Sequence, residues 1–293
     1  MVAVAHLCCC DFKVELAACC CRRSPQGYAP YNPRKRNQDA IIMHEHAATG
    51  TVLLGVLDGH GEAGDLVSHF VSERIAPRVF RHPEFATTPN TALKEELDRL
   101  ERTMLADSAI DTEFSGSTAV LAAVRDRKIH VCNVGDSRII VARDIGGKLT
   151  AIDVSNDHKP DLEAEKARIE ACGGRVFAVE YEDGVSGPPR VWLGHMDIPG
   201  LAMSRSIGDS VAHSAGVISE PEQFVFDLLD NDKMIIVASD GLWEFMTSQQ
   251  VVDFIHRVSE PKKAVDMLAA EASARWMKEE QVIDDTTIIV AYL

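Results

Sequence analysis

The chain offers little to a nucleic acid or a bilayer. Its 30 Lys and Arg stand against 45 Asp and Glu, a net charge of −15, so the basic footprint that a phosphate backbone demands is missing. No run comes near the roughly 18 uninterrupted apolar residues of a membrane span. The body of the chain is also poor in cysteine. Six of the 8 cysteines fall in Cys8-Cys9-Cys10 and Cys19-Cys20-Cys21, which leaves only Cys132 and Cys172 beyond them. Adjacent cysteines cannot staple a long cysteine-poor chain, and no secretory signal precedes them, so a reduced, intracellular protein is expected, cytoplasmic or nucleocytoplasmic. There is no C-x-x-C pair to suggest zinc, and position 2 is Val rather than Gly, which argues against N-myristoylation.

What is present suffices for a large core. The 293 residues are 46% hydrophobic, which rules out disorder throughout. Internal repeats, low-complexity tracts and long linkers are absent. Residues 24–27 (SPQG), Pro30 and Pro33 carry turn chemistry, and they divide a Cys-rich N-terminal tail, 1–26, from one domain, 27–293. Two readings of the tail stand. It is a mobile, oxidisable segment, or its thiols beside Arg22-Arg23 are S-acylated and associate the protein with a membrane.

Residues 51–57 (TVLLGVL) read as a buried strand, followed by helices over 63–75 and 91–106 from their apolar spacing. Residues 117–154 read as an antiparallel meander with short polar or Gly-bearing connections. A helix is expected from Pro160 to Ala171, stopped by Gly173-Gly174. Residues 175–216, rich in Gly and Pro, are expected to form a long surface excursion rather than core. A strand at 234–239, helices near 248–257 and 261–278 and a strand over the final residues complete the chain. Runs of strands and pairs of helices fit an α+β fold of sandwiched sheets with helices outside.

The placement of aspartates carries the chemistry. Asp58 and Asp240 each end an apolar strand and precede Gly; Asp284-Asp285 stand just before a strand, and Asp39 before another. Each alone reads as an ordinary turn residue. If these strand ends meet at one edge, the carboxylates repel unless cations neutralise them, and such hard oxygen donors suit Mg²⁺ or Mn²⁺.

NQDA (37–40), VLDGHG (56–61), SGST (115–118), VGDSR (134–138), NDHKPD (156–161), EACGGRV (170–176), GLAMSRSIGD (200–209), VASDGLWEFM (237–246) and DDTTIIV (284–290) follow one another in an order that resembles the PPM-type, or type 2C, metal-dependent protein serine/threonine phosphatases. The resemblance covers essentially everything after residue 26. It implies a four-layer α-β-β-α sandwich of two antiparallel sheets flanked by helix pairs, with two Mg²⁺ or Mn²⁺ ions at one edge and a weaker third. It implies that Asp58 bridges both ions with the Gly59 carbonyl beside it, that Asp240 and Asp284 hold the first, and that Asp39 supports the site directly or through water. Asp157 takes the third-ion position, helped by Glu244; Asp285 stands where the family often has Asn, and Gln38 where it often has Glu. Arg34 matches the phosphate-binding position, with Lys35 and Arg36 as alternatives.

Such a centre lowers the pKa of a shared water and clamps a phosphoryl group, and in-line attack then needs positioning more than covalent chemistry. His60, two residues after Asp58, is placed to protonate the leaving oxygen. The expected activity is hydrolysis of phosphoserine and phosphothreonine in protein substrates by a monomer. Two other readings remain, a pseudophosphatase that only binds partners and a hydrolase of a small phosphorylated molecule. Gly135-Asp136-Ser137 reads as a hairpin turn, since no G-x-S-x-G elbow accompanies it. Cys132 and Cys172 read as small core residues, and Trp192 and Trp243 as packing anchors.

Overall fold

The computed structural model describes the backbone of residues 2–9 and 12–20, and residues 29–30, 35–180 and 187–293 in full. The first strands in chain order are β1 (Val2–Cys9), β2 (Phe12–Cys20), β3 (Ala40–His46), β4 (Thr51–Leu57) and the two-residue β5 (Gly59–His60). Helices α1 (Gly64–Arg81) and α2 (Pro89–Leu105) follow, then β6 (Gly116–Ser117), β7 (Ala119–Arg125), β8 (Lys128–Val134), β9 (Arg138–Ile145) and β10 (Lys148–Asp153). After α3 (Glu163–Ala171) come β11 (Arg175–Phe177), β12 (Arg190–Trp192), β13 (Pro199–Leu201), β14 (Ile207–Gly208) and the single-turn α4 (Ser210–His213). The chain finishes with β15 (Glu222–Asp227), β16 (Asp232–Ala238), α5 (Asp240–Trp243), α6 (Ser248–Ile255), α7 (Pro261–Glu279) and β17 (Thr287–Tyr292).

The unbroken apolar run of β4 has a simple cause: both of its faces are covered. Leu53 and Leu57 point to the α1–α2 layer, where they meet Val67, Val71, Ile75 and Leu97. Val52, Leu54 and Val56, on the alternate face, meet Ile139, Val141, Ile235, Val237 and Ile289 of the other sheet. β16 repeats the pattern, with Met234, Ile236 and Ala238 against Val252, Val265 and Leu268 of α6 and α7. The layers are therefore α1–α2, a five-stranded sheet ordered β15-β8-β7-β4-β3, a six-stranded sheet ordered β1-β2-β17-β16-β9-β10, and α5–α7. All pairings within both sheets are antiparallel. The expected α-β-β-α sandwich is the observed one. Among the described residues no helix is long and apolar enough to cross a membrane.

Four expectations need correction. The segment read as a tail contributes backbone to the fold: β1 and β2 form a hairpin, and β2 pairs with β17 from Thr287↔Cys20 to Tyr292↔Glu15. The thiols of the triplets, on which both readings of that segment turn, lie outside the described residues. The 175–216 excursion is not bare surface, because β11, β12 and β13 form a small sheet. Val191, Leu201, Met203 and Val217 pack there with Ile169 of α3 in a core of their own. Its strands are three residues long, too short for a period to show. The helix expected at Pro160 begins at Glu163. Finally, Cys132 is buried but Cys172, just past the end of α3, is exposed.

Candidate active site

Register brings the aspartates together. Ala40 pairs with Leu57, so Asp39 and Asp58 lie side by side where β3 begins and β4 ends. Ala238 pairs with Ile288, so Asp240 and Asp284-Asp285 flank the corresponding end of β16 and β17. Ser239 helps tie the two sheets there: its Oγ donates to Asp39 Oδ2 at 3.0 Å and accepts from Thr287 N–H at 3.0 Å.

The close approach of the loop after β4 requires glycine. Gly59 N–H donates to Gln38 O at 3.2 Å, and a Cβ on residue 59 would collide with Gly64 O and lie 2.6 Å from Gln38 O. Gln38 is a tie between segments: its N–H donates to Asp285 Oδ2 at 3.0 Å and its Nε2 to Gly61 O at 2.6 Å.

The electrostatics are those of crowded carboxylates. Burial, then Asp285, pushes Asp39 up to about 7. Burial, then Asp136 and Asp284, pushes Asp240 up to about 8. Asp58 is raised well above the usual range by burial and by Asp39, Asp240 and Asp284, and its carboxyl lies within hydrogen-bonding reach of that of Asp240. Asp240 Oδ1 is buried and has no hydrogen-bond partner among the described residues. Two protein cations offset part of this charge. Lys35 Nζ bonds Asp284 and stands 3.6 Å from Asp285 Oδ2. Lys159 Nζ bonds Asp136 Oδ2 at 2.6 Å. Both lysines are held charged, burial being outweighed by these carboxylates.

His60 lies on the same edge. Its Nε2 is 2.6 Å from Asp209 Oδ2, while its Nδ1 is buried without a partner among the described residues. Burial works against a charge on the ring, but Asp209, then Asp136 and Asp240, prevail and raise its pKa. Burial would likewise raise Asp209, yet His60 holds it below the usual carboxylate range.

Not every expected residue joins the cluster. Asp157 is taken by Arg138, whose Nε and Nη2 reach its two oxygens at 2.9 and 2.6 Å, so the position expected to hold a third ion is an ion pair. Asp136, in the turn between β8 and β9, takes the nearer place: it is almost wholly buried, it raises Asp240, and its Oδ1 has no hydrogen-bond partner among the described residues. In the sequence it is marked by the apolar strand KIHVCNV, which Gly135-Asp136 follow directly. Glu244 is exposed one turn after Asp240, whose carbonyl accepts its N–H at 2.8 Å. Arg34 lies outside the described residues, whereas Lys35 is in the cluster. His158 is a core residue, its Nδ1 accepting from Gly135 N–H at 3.1 Å.

The donor set fits hard divalent cations. It is all oxygen, has an orphaned buried Asp240 oxygen, and carries the Asp39 and Asp240 carboxyls, pushed up to about 7 and about 8 by burial and neighbouring carboxylates whose charge a cation would offset. Among the described residues, no group of three or more His, Cys, Asp or Glu is arranged to hold a metal ion as the side chains stand. An open cluster suits ions that keep several of their waters.

Comparison with known proteins shows the family and the fold. The family described as Protein phosphatase 2C matches residues 34–286. "Probable protein phosphatase 2C 35" of Arabidopsis thaliana is 38% identical over 287 residues, spanning 92% of this chain and 82% of its own. "Probable protein phosphatase 2C 64" of Oryza sativa subsp. japonica is 34% identical, over 92% of this chain and 66% of its own. Among solved structures, a serine-threonine phosphatase 2C from Toxoplasma gondii superposes with TM-score 0.80 at 20% identity, over 100% of this chain and 99% of that one, which speaks to the fold. The chain belongs to the protein phosphatase 2C family of metal-dependent serine/threonine phosphatases.

Proposed function

We propose that this phosphatase acts on phosphoserine and phosphothreonine in proteins, by direct attack of water at a two-ion edge site. The gathering of Asp39, Asp58, Asp240 and Asp284 at one end of both sheets carries the reading. Asp58, with the Gly59 carbonyl beside it, would help hold the ions. Asp240 and Asp284 would be further ligands, and Asp39 would support the site. Mg²⁺ or Mn²⁺, when bound, supplies a water ionised near neutral pH and neutralises phosphoryl charge.

The chain's own residues do the rest. His60 hands a proton to the leaving seryl or threonyl oxygen, which as a bare alkoxide would be a poor leaving group. Lys35 or Arg34 orients the phosphate's remaining oxygens. Gln38 and Ser239 hold Asp285 and Asp39 in place through the hydrogen bonds given above. The carboxylate set and His60 are all present, which favours an active enzyme over a pseudophosphatase.

The test is turnover of phosphoserine and phosphothreonine peptides beside small phosphate monoesters, with Mg²⁺, Mn²⁺ or chelator. Metal-dependent turnover that favours the peptides is expected. Turnover that persists in chelator refutes the centre, and a strong preference for a small metabolite-like monoester refutes the substrate class.

A further inference from the structure

The GLAMSRSIGD motif ends in a carboxylate that the reaction above leaves without a task. We propose that Asp209 is the positioning residue of the general acid, its carboxylate accepting the Nε2–H of His60 and so presenting Nδ1 to the leaving oxygen. The proposal rests on the reading of His60 as that acid.

Three observations carry it. The first is the build of the small sheet ordered β14-β6-β5. His60 pairs with Gly116 on one side, and Gly208 pairs with Gly116 on the other. Asp209, the next residue, is thereby brought to the histidine across 149 positions of sequence, and its N–H is anchored on Ser115 O at 3.0 Å. The second is a cradle. A Cβ on residue 116 would collide with Asp209 Oδ2 and lie 2.6 Å from its Cγ, so Gly116 leaves open the space that the carboxylate fills. The third is backbone strain. Asp209 has φ +46° and ψ +46°, a left-handed conformation that glycine adopts freely and most other residues avoid.

Capping does not explain a carboxylate there. Asp209 precedes α4, but its side chain makes no cap hydrogen bond; only its carbonyl serves the turn, accepting from His213 N–H at 3.0 Å. The side chain is 3% exposed and stands 2.6 Å from His60. Because an ionised Asp only accepts, the shared proton belongs to Nε2. Nδ1 is then the nitrogen left for chemistry, and it is the buried ring atom without a partner among the described residues. In the step itself the bond from phosphorus to the leaving oxygen breaks, that oxygen's electron pair takes the Nδ1 proton, and the ring becomes neutral with Nε2–H still on Asp209.

Asp209→Asn, His60→Gln and the double variant are compared on a phosphoserine peptide and on p-nitrophenyl phosphate, at saturating Mn²⁺. For Asp209→Asn, kcat on the peptide should fall on the order of 10²-fold with KM little changed, and far less on p-nitrophenyl phosphate, whose phenolate leaves without help. The double variant should be no slower than His60→Gln. Equal losses on both substrates for Asp209→Asn, or losses that multiply in the double variant, overturn the assignment. If His60→Gln itself shows no leaving-group selectivity, the general-acid reading fails; if it does and Asp209→Asn does not, only the role of Asp209 falls. Should Asp209→Asn not fold, ¹⁵N NMR of histidine-labelled wild-type protein without metal decides. Neutral His60 should be the Nε2–H tautomer, and the Nδ1–H tautomer refutes the proposal.

Discussion

Asp58 is a single carboxylate flanked by Asp39, Asp240 and Asp284, so its charge is tolerable only when something positive shares the site. Asn has the same shape without that charge and cannot be shared between two cations. Asp58→Asn should lower turnover by at least on the order of 10²-fold while the metal-free protein stays folded, because a source of repulsion has been removed. Wild-type turnover by the folded variant would contradict the proposed centre. Asp157 and Asp136 make an opposing pair. Asp157→Ala strips a two-point partner from the partly buried Arg138 and should cost about 2 kcal/mol in stability without changing the metal concentration that activity requires. Asp136→Asn, facing Asp240, should raise that concentration. Metal titrations and denaturant melts of both variants separate the two roles; the reverse pattern restores Asp157 to the centre.

Elements were legible in the sequence in proportion to how completely they are buried. β4, β16 and β17 read as strands because helices cover one face and the opposite sheet covers the other, leaving a continuous apolar run. Asp39, Asp58, Asp240 and Asp284 were legible for the same reason, since each abuts such a run. β11, β12 and β13 were not, because three residues cannot display an alternation. Asp209 could not be found by any local pattern, since two short strand pairings bring it to His60. The loop between β4 and α1 shows how tightly these elements are set. Gly59→Ala places a methyl against Gly64 O at the start of α1 and against Gln38 O, both of them backbone atoms that cannot swing aside. We expect a stability loss of about 2 kcal/mol or more, with activity falling as well because Gln38 also holds Asp285. Unchanged thermal unfolding and activity in Gly59→Ala would show that α1 can retreat freely.

At the scale of the whole molecule, the sandwich concentrates negative charge where the strand ends of its two sheets meet. Folding brings Asp39 and Asp240 from ordinary carboxylate pKa values to about 7 and about 8, through burial and the repulsion of neighbouring carboxylates, and raises Asp58 as well. Between the unfolded value near 3.8 and those folded values, the native state binds more protons than the unfolded one. Stability without metal is therefore fullest at the acid end of this window and declines as pH rises through it, the reverse of a salt-bridged carboxylate. Lys159 lowers Asp240 and so tempers the decline without abolishing it. Divalent cations that bind the ionised carboxylates take the place of the protons, so the stabilisation they bring should grow with pH. Thermal midpoints measured from about pH 5 to about pH 8, in chelator and in saturating Mn²⁺, should diverge steadily toward the alkaline side. A midpoint in chelator that rises across this range, or a metal-induced shift that does not depend on pH, would mean that the carboxylates are already ionised in the metal-free fold and that the cluster is neutralised by the protein's own cations alone.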